Sequence, residues 1–274
     1  MNKYKIGICG IGFVGSSMMN SFIEHKMILN ENLFCYDKYK NIGSFEDLLN
    51  SDILFLALPT QFKTEDATYD LEPLRETLSN LNNYKGVIVL KSTLLPKTTN
   101  SLSIEYGLDL IHNPEFLTAR TAFEDFHNQK HIVLGNSDNC LYEKIEQIYE
   151  FYNAYYPTAK ISLCRSDESE SMKLFANSFY AVKIQFFNEL YLLCKKNNIE
   201  YDNVKDLMIE NGWINKMHTD VPGPDGLLSY GGLCFPKDTN ALLNFMKDSD
   251  VEHKVLESVV NERNNMRNDN DNVI

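Results

Sequence analysis

Eight residues, Gly231-Gly232-Leu233-Cys234-Phe235-Pro236-Lys237-Asp238, set a nucleophile, a cation and a carboxylate behind two adjacent glycines. The glycines permit a tight turn and let a ligand approach the backbone closely. A thiol beside a cation ionises below its free pKa of roughly 8.5, and the thiolate is the attacking species. Asp238 is near enough in sequence to take or steer a proton. The group suits covalent catalysis. It equally suits a Gly-Gly turn into a helix with an inert cysteine, and these eight residues alone do not separate the two.

A second glycine-rich stretch has a fuller context. Lys5–Cys9 reads as a buried strand, Gly10-Ile11-Gly12-Phe13-Val14-Gly15 follows at once, Val14–His25 reads as a helix, and Leu33–Tyr36 reads as a strand ending at Asp37. Strand, glycine turn, helix, strand and acid form the dinucleotide fingerprint in its required order. Gly10 allows the tight turn, Gly12 the approach of a pyrophosphate, and Gly15 the close packing of helix on strand. Phe13 and Val14 open the helix, whose N-terminus attracts phosphate. Asp37 is placed to accept from ribose hydroxyls and would repel a 2′-phosphate, so the spacing predicts NAD rather than NADP.

Further strand-like runs at Ile53–Leu58, Val87–Lys91, Leu108–His112, His131–Leu134 and Ile161–Cys164 alternate with helical segments such as Asp70–Leu81 and Asn139–Tyr152. That alternation predicts an α/β fold, a Rossmann-type doubly wound parallel sheet with helices on both faces. Ligands of such sheets bind at the carboxyl edge. Pro59-Thr60, Lys91-Ser92-Thr93 and Asn113-Pro114-Glu115 fall at that edge, where each also fits a turn or a helix cap. Beyond the strands, Glu168–Lys196 reads as one long helix, with Met172, Phe175, Ala176, Phe179, Val182, Phe186 and Leu190 at helical spacing. Lys173 and Asn177 share one of its faces. Shorter helices are expected over Asp202–Asn211, from near Asp238, and over Val251–Met266. The predicted architecture is therefore a Rossmann-type sheet followed by an all-helical domain with one long central helix.

Composition narrows the function. A net charge of −12 over 274 residues argues against general nucleic-acid or anionic-membrane binding. No apolar run is long enough to span a bilayer, and no signal peptide is expected. Six scattered cysteines without a CxxC pair suggest reduced thiols in the cytoplasm and no zinc site.

Taken together, Gly10–Gly15, Lys91-Ser92-Thr93, Asn113-Pro114-Glu115-Phe116-Leu117, Lys173 with Asn177, Pro222-Gly223-Pro224-Asp225-Gly226 and Gly231–Asp238 resemble the nucleotide-sugar dehydrogenases of the UDP-glucose/GDP-mannose dehydrogenase family, the UDP-glucose 6-dehydrogenases above all. The matches are collinear over about residues 4–267. The resemblance implies NAD-dependent, two-step oxidation of UDP-glucose to UDP-glucuronate through a thiohemiacetal and a thioester on Cys234. It implies that Lys173 and Asn177 stabilise the oxyanion, and that Glu115, Thr93 and Asp238 handle protons. Gly10, Gly12, Phe13, Val14, Gly15, Asp37, Pro59, Thr60, Ser92, Thr93 and Lys237 would bind NAD. Glu115, Phe116, Leu117, Lys173, Asn177, Tyr230, Gly231 and Cys234 would bind the substrate. No metal is implied, and a homodimer through the long helix is. The expected organisation is an NAD-binding domain over 1–164, a helical, dimerising domain over 165–267 and a disordered tail over 268–274.

Two departures from the family pattern stand out. The sequence is expected to lack the usual C-terminal UDP-binding domain. The arginine that usually precedes the Pro-Gly-rich loop is missing, with Trp213 at its ungapped position and Lys216 and His218 nearby. Other nucleotide sugars, such as GDP-mannose or a UDP-N-acetylhexosamine, remain open as substrates. A binding-only relative stays open too. A single-oxidation hydroxyacid dehydrogenase would have no use for Cys234.

Overall fold

The computed structural model describes residues 3–267, so the tail expected at 268–274 lies outside the described residues. In chain order the elements are β1 (Ile6–Cys9), α1 (Phe13–Glu24), β2 (Leu33–Tyr36), α2 (Phe45–Leu48), β3 (Ile53–Leu56), β4 (Phe62–Lys63), β5 (Thr68–Tyr69), α3 (Glu72–Ser79), β6 (Val87–Leu90), α4 (Thr98–Tyr106), β7 (Leu110–His112), α5 (Ala122–His127), β8 (His131–Asn136), α6 (Tyr142–Tyr155), β9 (Lys160–Arg165), α7 (Ser166–Lys196), α8 (Tyr201–Glu210), α9 (Phe235–Asp248) and α10 (Lys254–Met266). They divide into two compact units, Met1–Thr60 with Asp70–Lys173, and Gln61–Tyr69 with Leu174–Ile274.

The first unit is a seven-stranded sheet in the order β2-β1-β3-β6-β7-β8-β9. Alternation within each strand sends side chains to two separate cores. Ile6, Ile8, Ile53, Phe55, Val87 and Val89 pack with Met18 and Phe22 of α1, Phe126 of α5 and Phe151 of α6. Leu54, Leu56, Ile88 and Leu90 pack with Leu48 of α2, Leu74 and Leu78 of α3 and Leu102 of α4. All four residues of β3 are fully buried. A strand covered on both faces reads as a continuous apolar run, and each such side chain contributes about 1.5–3 kcal/mol.

The sheet corrects one expectation. It is not wholly parallel: β7 pairs with β8 antiparallel, with Ile111 opposite Asn136 and His112 opposite Gly135. The segment between them holds only the six-residue α5, which packs on α1 through the Phe22–Phe126 and His25–His127 ring contacts. A parallel crossover needs a connection that travels back along the sheet. Here the chain stays at the carboxyl edge of β7 and re-enters from there, and α6 then returns it to a parallel β9.

In the second unit α7, α8, α9 and α10 are joined by the β4–β5 hairpin, which the sequence reading did not foresee. Two-residue strands carry no readable period. The unit boundary falls inside α7, after Lys173. Along α7 one stripe is buried, with Ala181 packed on Tyr230 and Val259, and Phe187 and Cys194 packed on Tyr201. Another stripe, Phe175, Phe179, Phe186 and Leu193, is more than half exposed.

Candidate functional site

The residues singled out in the sequence fall into two sets, one in each unit. In the first unit the chain leaves β1 through Gly10 at φ +90°, a left-handed conformation open to glycine. Gly15 lies directly against the Gly10 carbonyl, where no side chain would fit. Helix α1 starts with Gly12 at its N-cap, no side-chain cap and no acid in its first turn. A Cβ on Gly12 would meet nothing within 4 Å. This helix start is thus left open to an anion, as a pyrophosphate needs. Asp37 sits beside the turn and accepts from Ile11 N at 2.9 Å through one oxygen, and from Tyr39 N and Lys40 N at 3.0 Å each through the other. Phe13 is exposed and Val14 half-buried at the helix mouth.

The carboxyl ends of β3, β6 and β7 are laced together by side chains. Thr60 Oγ1 donates to Thr93 O at 2.8 Å, and Ser92 Oγ donates to Leu58 O at 2.6 Å. Pro59 stays exposed between them. His112 Nε2 lies 3.1 Å from Ser92 O, so that nitrogen carries the proton and Nδ1 accepts from Ser169 Oγ at 2.5 Å. Burial pushes His112 down to about 3, in keeping with a neutral ring. Beneath these ends Lys91 is buried. Its Nζ donates to Asn113 Oδ1 at 2.7 Å, the same oxygen accepts from Tyr152 OH, and Asn113 Nδ2 donates to Val133 O at 2.7 Å. Burial lowers Lys91 to about 7, opposed by the charge of Glu115 and aided by that of Lys173.

Glu115 and Lys173 form a nearly buried pair. Lys173 Nζ donates to Glu115 O at 2.6 Å and lies 3.1 Å from Oε1, while Leu117 N donates to Oε2 at 2.6 Å. Phe116 places its ring 5.5 Å from the Lys173 ammonium. One turn earlier on α7, buried Glu170 accepts from Thr99 N, Thr99 Oγ1 and Lys97 N, all within 2.7 Å, and so caps α4. Burial raises Glu170 to about 7 against those three donors.

In the second unit Gly232 turns at φ +77° and delivers exposed Cys234 to the N-cap of α9. Pro236 in the first turn suits a helix start, where its missing N–H has no intrahelical partner to lose. Asp238, one turn on, is fully buried. Its Oδ1 accepts from Lys237 Nζ at 2.6 Å and Tyr69 OH at 2.5 Å, and its Oδ2 accepts from Asn177 Nδ2 at 2.6 Å. Tyr230 is buried, its carbonyl accepting from Arg263 Nε at 3.2 Å, and Gly231 lies against the Arg267 guanidinium. Trp213 is exposed, whereas His218 packs 4.9 Å from the Tyr180 ring and 5.5 Å from that of Phe235. Cys234, Asn177, Lys237 and Asp238 thus belong to one cluster, and Glu115, Phe116, Leu117 and Lys173 to another.

Sequence reasoning passed over several members of these sets. Lys91 and Asn113 stand in the motifs without roles, although a lysine ending the apolar run Val87–Leu90 is a signal of a buried cation. Glu170, His112 and Tyr69 left no such signal.

Residues 27–153 match the NAD binding domain of the UDP-glucose/GDP-mannose dehydrogenase family, and residues 167–265 match its central domain. The chain belongs to the UDP-glucose/GDP-mannose dehydrogenase family. Among its relatives, the UDP-glucose 6-dehydrogenase TuaD of Bacillus subtilis is 32% identical over 77% of this chain and 46% of its own length. A UDP-glucose dehydrogenase structure from Pyrobaculum islandicum superimposes with a TM-score of 0.81 at 22% identity, covering 95% of this chain and 68% of that one. A UDP-D-ManNAc dehydrogenase from Pyrococcus horikoshii gives 0.76 at 18% identity, covering 96% and 68%. At such identities the two structures speak for the fold. The chain spans about half the length of the curated relatives it matches. It carries the family's NAD-binding domain, and the glycine turn, which precedes the matched segment, fits that cofactor by its own geometry. No helix among the described residues is long and apolar enough to cross a membrane.

Proposed function

We propose that this chain oxidises the primary alcohol of UDP-glucose to the carboxylate of UDP-glucuronate in two steps. The observation that carries the reading is Cys234, exposed at the N-cap of α9, with Lys237 and Asp238 in the first turn of that helix and Asn177 of α7 donating to Asp238. Bound NAD supplies the hydride acceptor for each oxidation. Glu115, Thr93 and Asp238 handle the hydroxyl proton and the hydrolytic water. Lys173 and Asn177 stabilise the oxygen as it gains negative charge. The Cys234 thiolate adds to the aldehyde carbon, so the intermediate is a bound thiohemiacetal. Its oxidation leaves a thioester, and water cleaves the carbon–sulfur bond to release the acid and restore the thiol. Lys237 would also face the cofactor, and Phe116, Leu117, Tyr230 and Gly231 would bound the substrate.

The test is stoichiometry. Purified chain with NAD and UDP-glucose is expected to form two NADH for each UDP-glucuronate. One NADH with aldehyde or ketone as product would overturn the acyl-enzyme scheme. Turnover with GDP-mannose or a UDP-N-acetylhexosamine, and none with UDP-glucose, would keep the chemistry and change the substrate. The exposed Phe175, Phe179, Phe186 and Leu193 stripe supports a homodimer through α7, since contiguous apolar patches of this kind mark association surfaces. A monomer mass by light scattering at micromolar concentration would remove that part.

A further inference from the structure

Tyr69 ends the β4–β5 hairpin and belongs to none of the motifs that carry the family resemblance. It is buried, and its hydroxyl donates to Asp238 Oδ1 at 2.5 Å. The Lys237 ammonium shares that oxygen and also lies 4.6 Å from the centre of the Tyr69 ring. The other Asp238 oxygen accepts from Asn177. A fully buried carboxylate is thus held by donors from a hairpin, from α7 and from α9. Asp238 N in turn donates to Cys234 O at 3.0 Å, so Asp238 sits one helical turn along the chain from the cap residue that carries the thiol. Burial, then the Asp238 carboxylate, holds the Tyr69 phenol well above its ordinary range, with the Cys234 thiol adding to the push. The hydroxyl therefore remains a donor at neutral pH. Phenylalanine would fill the same space and keep the ring under Lys237. What tyrosine adds is one hydroxyl, and it is directed at Asp238.

We propose that Tyr69 is a positioning residue for the Cys234 site, its hydroxyl fixing the Asp238 carboxylate and taking up part of its charge so that the neighbouring thiol ionises more readily. A bare carboxylate one turn from a thiol opposes the thiolate, and a donor that shares its charge relieves that opposition. The inference rests on the reading of Cys234 as the nucleophile, and its test is chosen to fail separately from that reading.

The Tyr69→Phe variant is compared with the wild-type chain in two assays. The first is alkylation of Cys234 by iodoacetamide at neutral pH without substrate or NAD, followed by peptide mass. The rate is expected to fall by about threefold or more. The second is NADH formation, in which kcat is expected to fall by about tenfold while KM stays within about twofold. Unchanged alkylation and unchanged kcat in a folded variant would reduce Tyr69 to packing and overturn the inference. Slower alkylation in a chain whose wild type oxidises no nucleotide sugar would support the link from Tyr69 to Cys234 and sink the dehydrogenase reading instead. A fluorinated tyrosine at position 69, a stronger donor of nearly the same shape, guards against folding artefacts. It is expected to speed alkylation relative to tyrosine, and a shift in the same direction as phenylalanine would count against the proposal.

Discussion

Two helices of this chain begin the same way and end up suited to different chemistry. Both α1 and α9 follow a glycine turn with a positive φ, and neither has a side-chain cap. The start of α1 carries no charge of its own: glycine at the N-cap, no acid in the first turn, open space where a side chain would be. The start of α9 is crowded: a cysteine at the N-cap and an aspartate in the first turn. An uncapped helix N-terminus offers partial positive charge to whatever is placed there. In α1 that charge is available to a ligand's phosphates. In α9 it is offered to the chain's own thiol, and helix N-termini favour the thiolate. The Asp238 carboxylate would cancel that benefit if it stood alone, but Tyr69, Asn177 and Lys237 each donate to it. On the proposed reading the same local device serves binding in one unit and nucleophile activation in the other, and what would decide between them is the side chain at the cap and the company of the first turn.

The largest expected effect breaks the contrast at its reactive end. Cys234→Ser should lower steady UDP-glucuronate formation by at least about a thousandfold while leaving NAD affinity within about twofold. Normal turnover, measured as uronate by chromatography, would remove the covalent role and leave two helix starts with no difference in chemistry. A smaller effect is expected at the other end. Gly12→Ala adds a methyl into open space, so the melting temperature should stay within about two degrees. The same methyl occupies the approach of a pyrophosphate, so NAD affinity by calorimetry should fall about tenfold or more. An alanine variant that binds NAD normally would mean that the α1 turn does not hold the phosphates.

How far each region could be read in advance follows from the same contrast. The α1 turn was legible because its parts are consecutive: β1, the glycines, α1 and β2 lie within residues 6–36, each with its own period or spacing. Long apolar strands and the 31-residue α7 were legible for that reason too. The surroundings of Cys234 were only half legible. Lys237 and Asp238 are neighbours in the chain, but Tyr69 arrives from a hairpin some 169 residues away in sequence. Nothing in Thr68-Tyr69 announces a partner for Asp238. The strand at β8 was legible but its antiparallel direction was not, because strand direction depends on where the connecting segment travels, and residues 113–130 carry no periodicity that fixes it. Glu170 carries no local signal, because its capping of α4 is a tertiary contact.

The smallest effect sharpens the comparison at a deeper level, in the partners given to two lysines, Lys237 and the buried Lys91. Lys237 meets the carboxylate of Asp238, whereas Lys91 meets the neutral amide of Asn113. An ammonium buried against an amide is poorly compensated, and burial lowers Lys91 to about 7. The ordinary lysine value is about 10.4. Between those two values the unfolded chain holds a proton that the folded chain lacks, so folding gains as pH rises through that window. Below it both states hold the proton, and the full cost of the buried charge is present. Lys91→Met removes that cost and leaves Asn113 Oδ1 its bond from Tyr152. The variant should therefore be more stable than the wild type by about 2 kcal/mol near pH 6, an advantage that shrinks toward pH 9.5. Denaturant melts at the two pH values measure it. An equal difference at both would mean that Lys91 does not titrate between them, and that Asn113 compensates Lys91 as fully as Asp238 compensates Lys237.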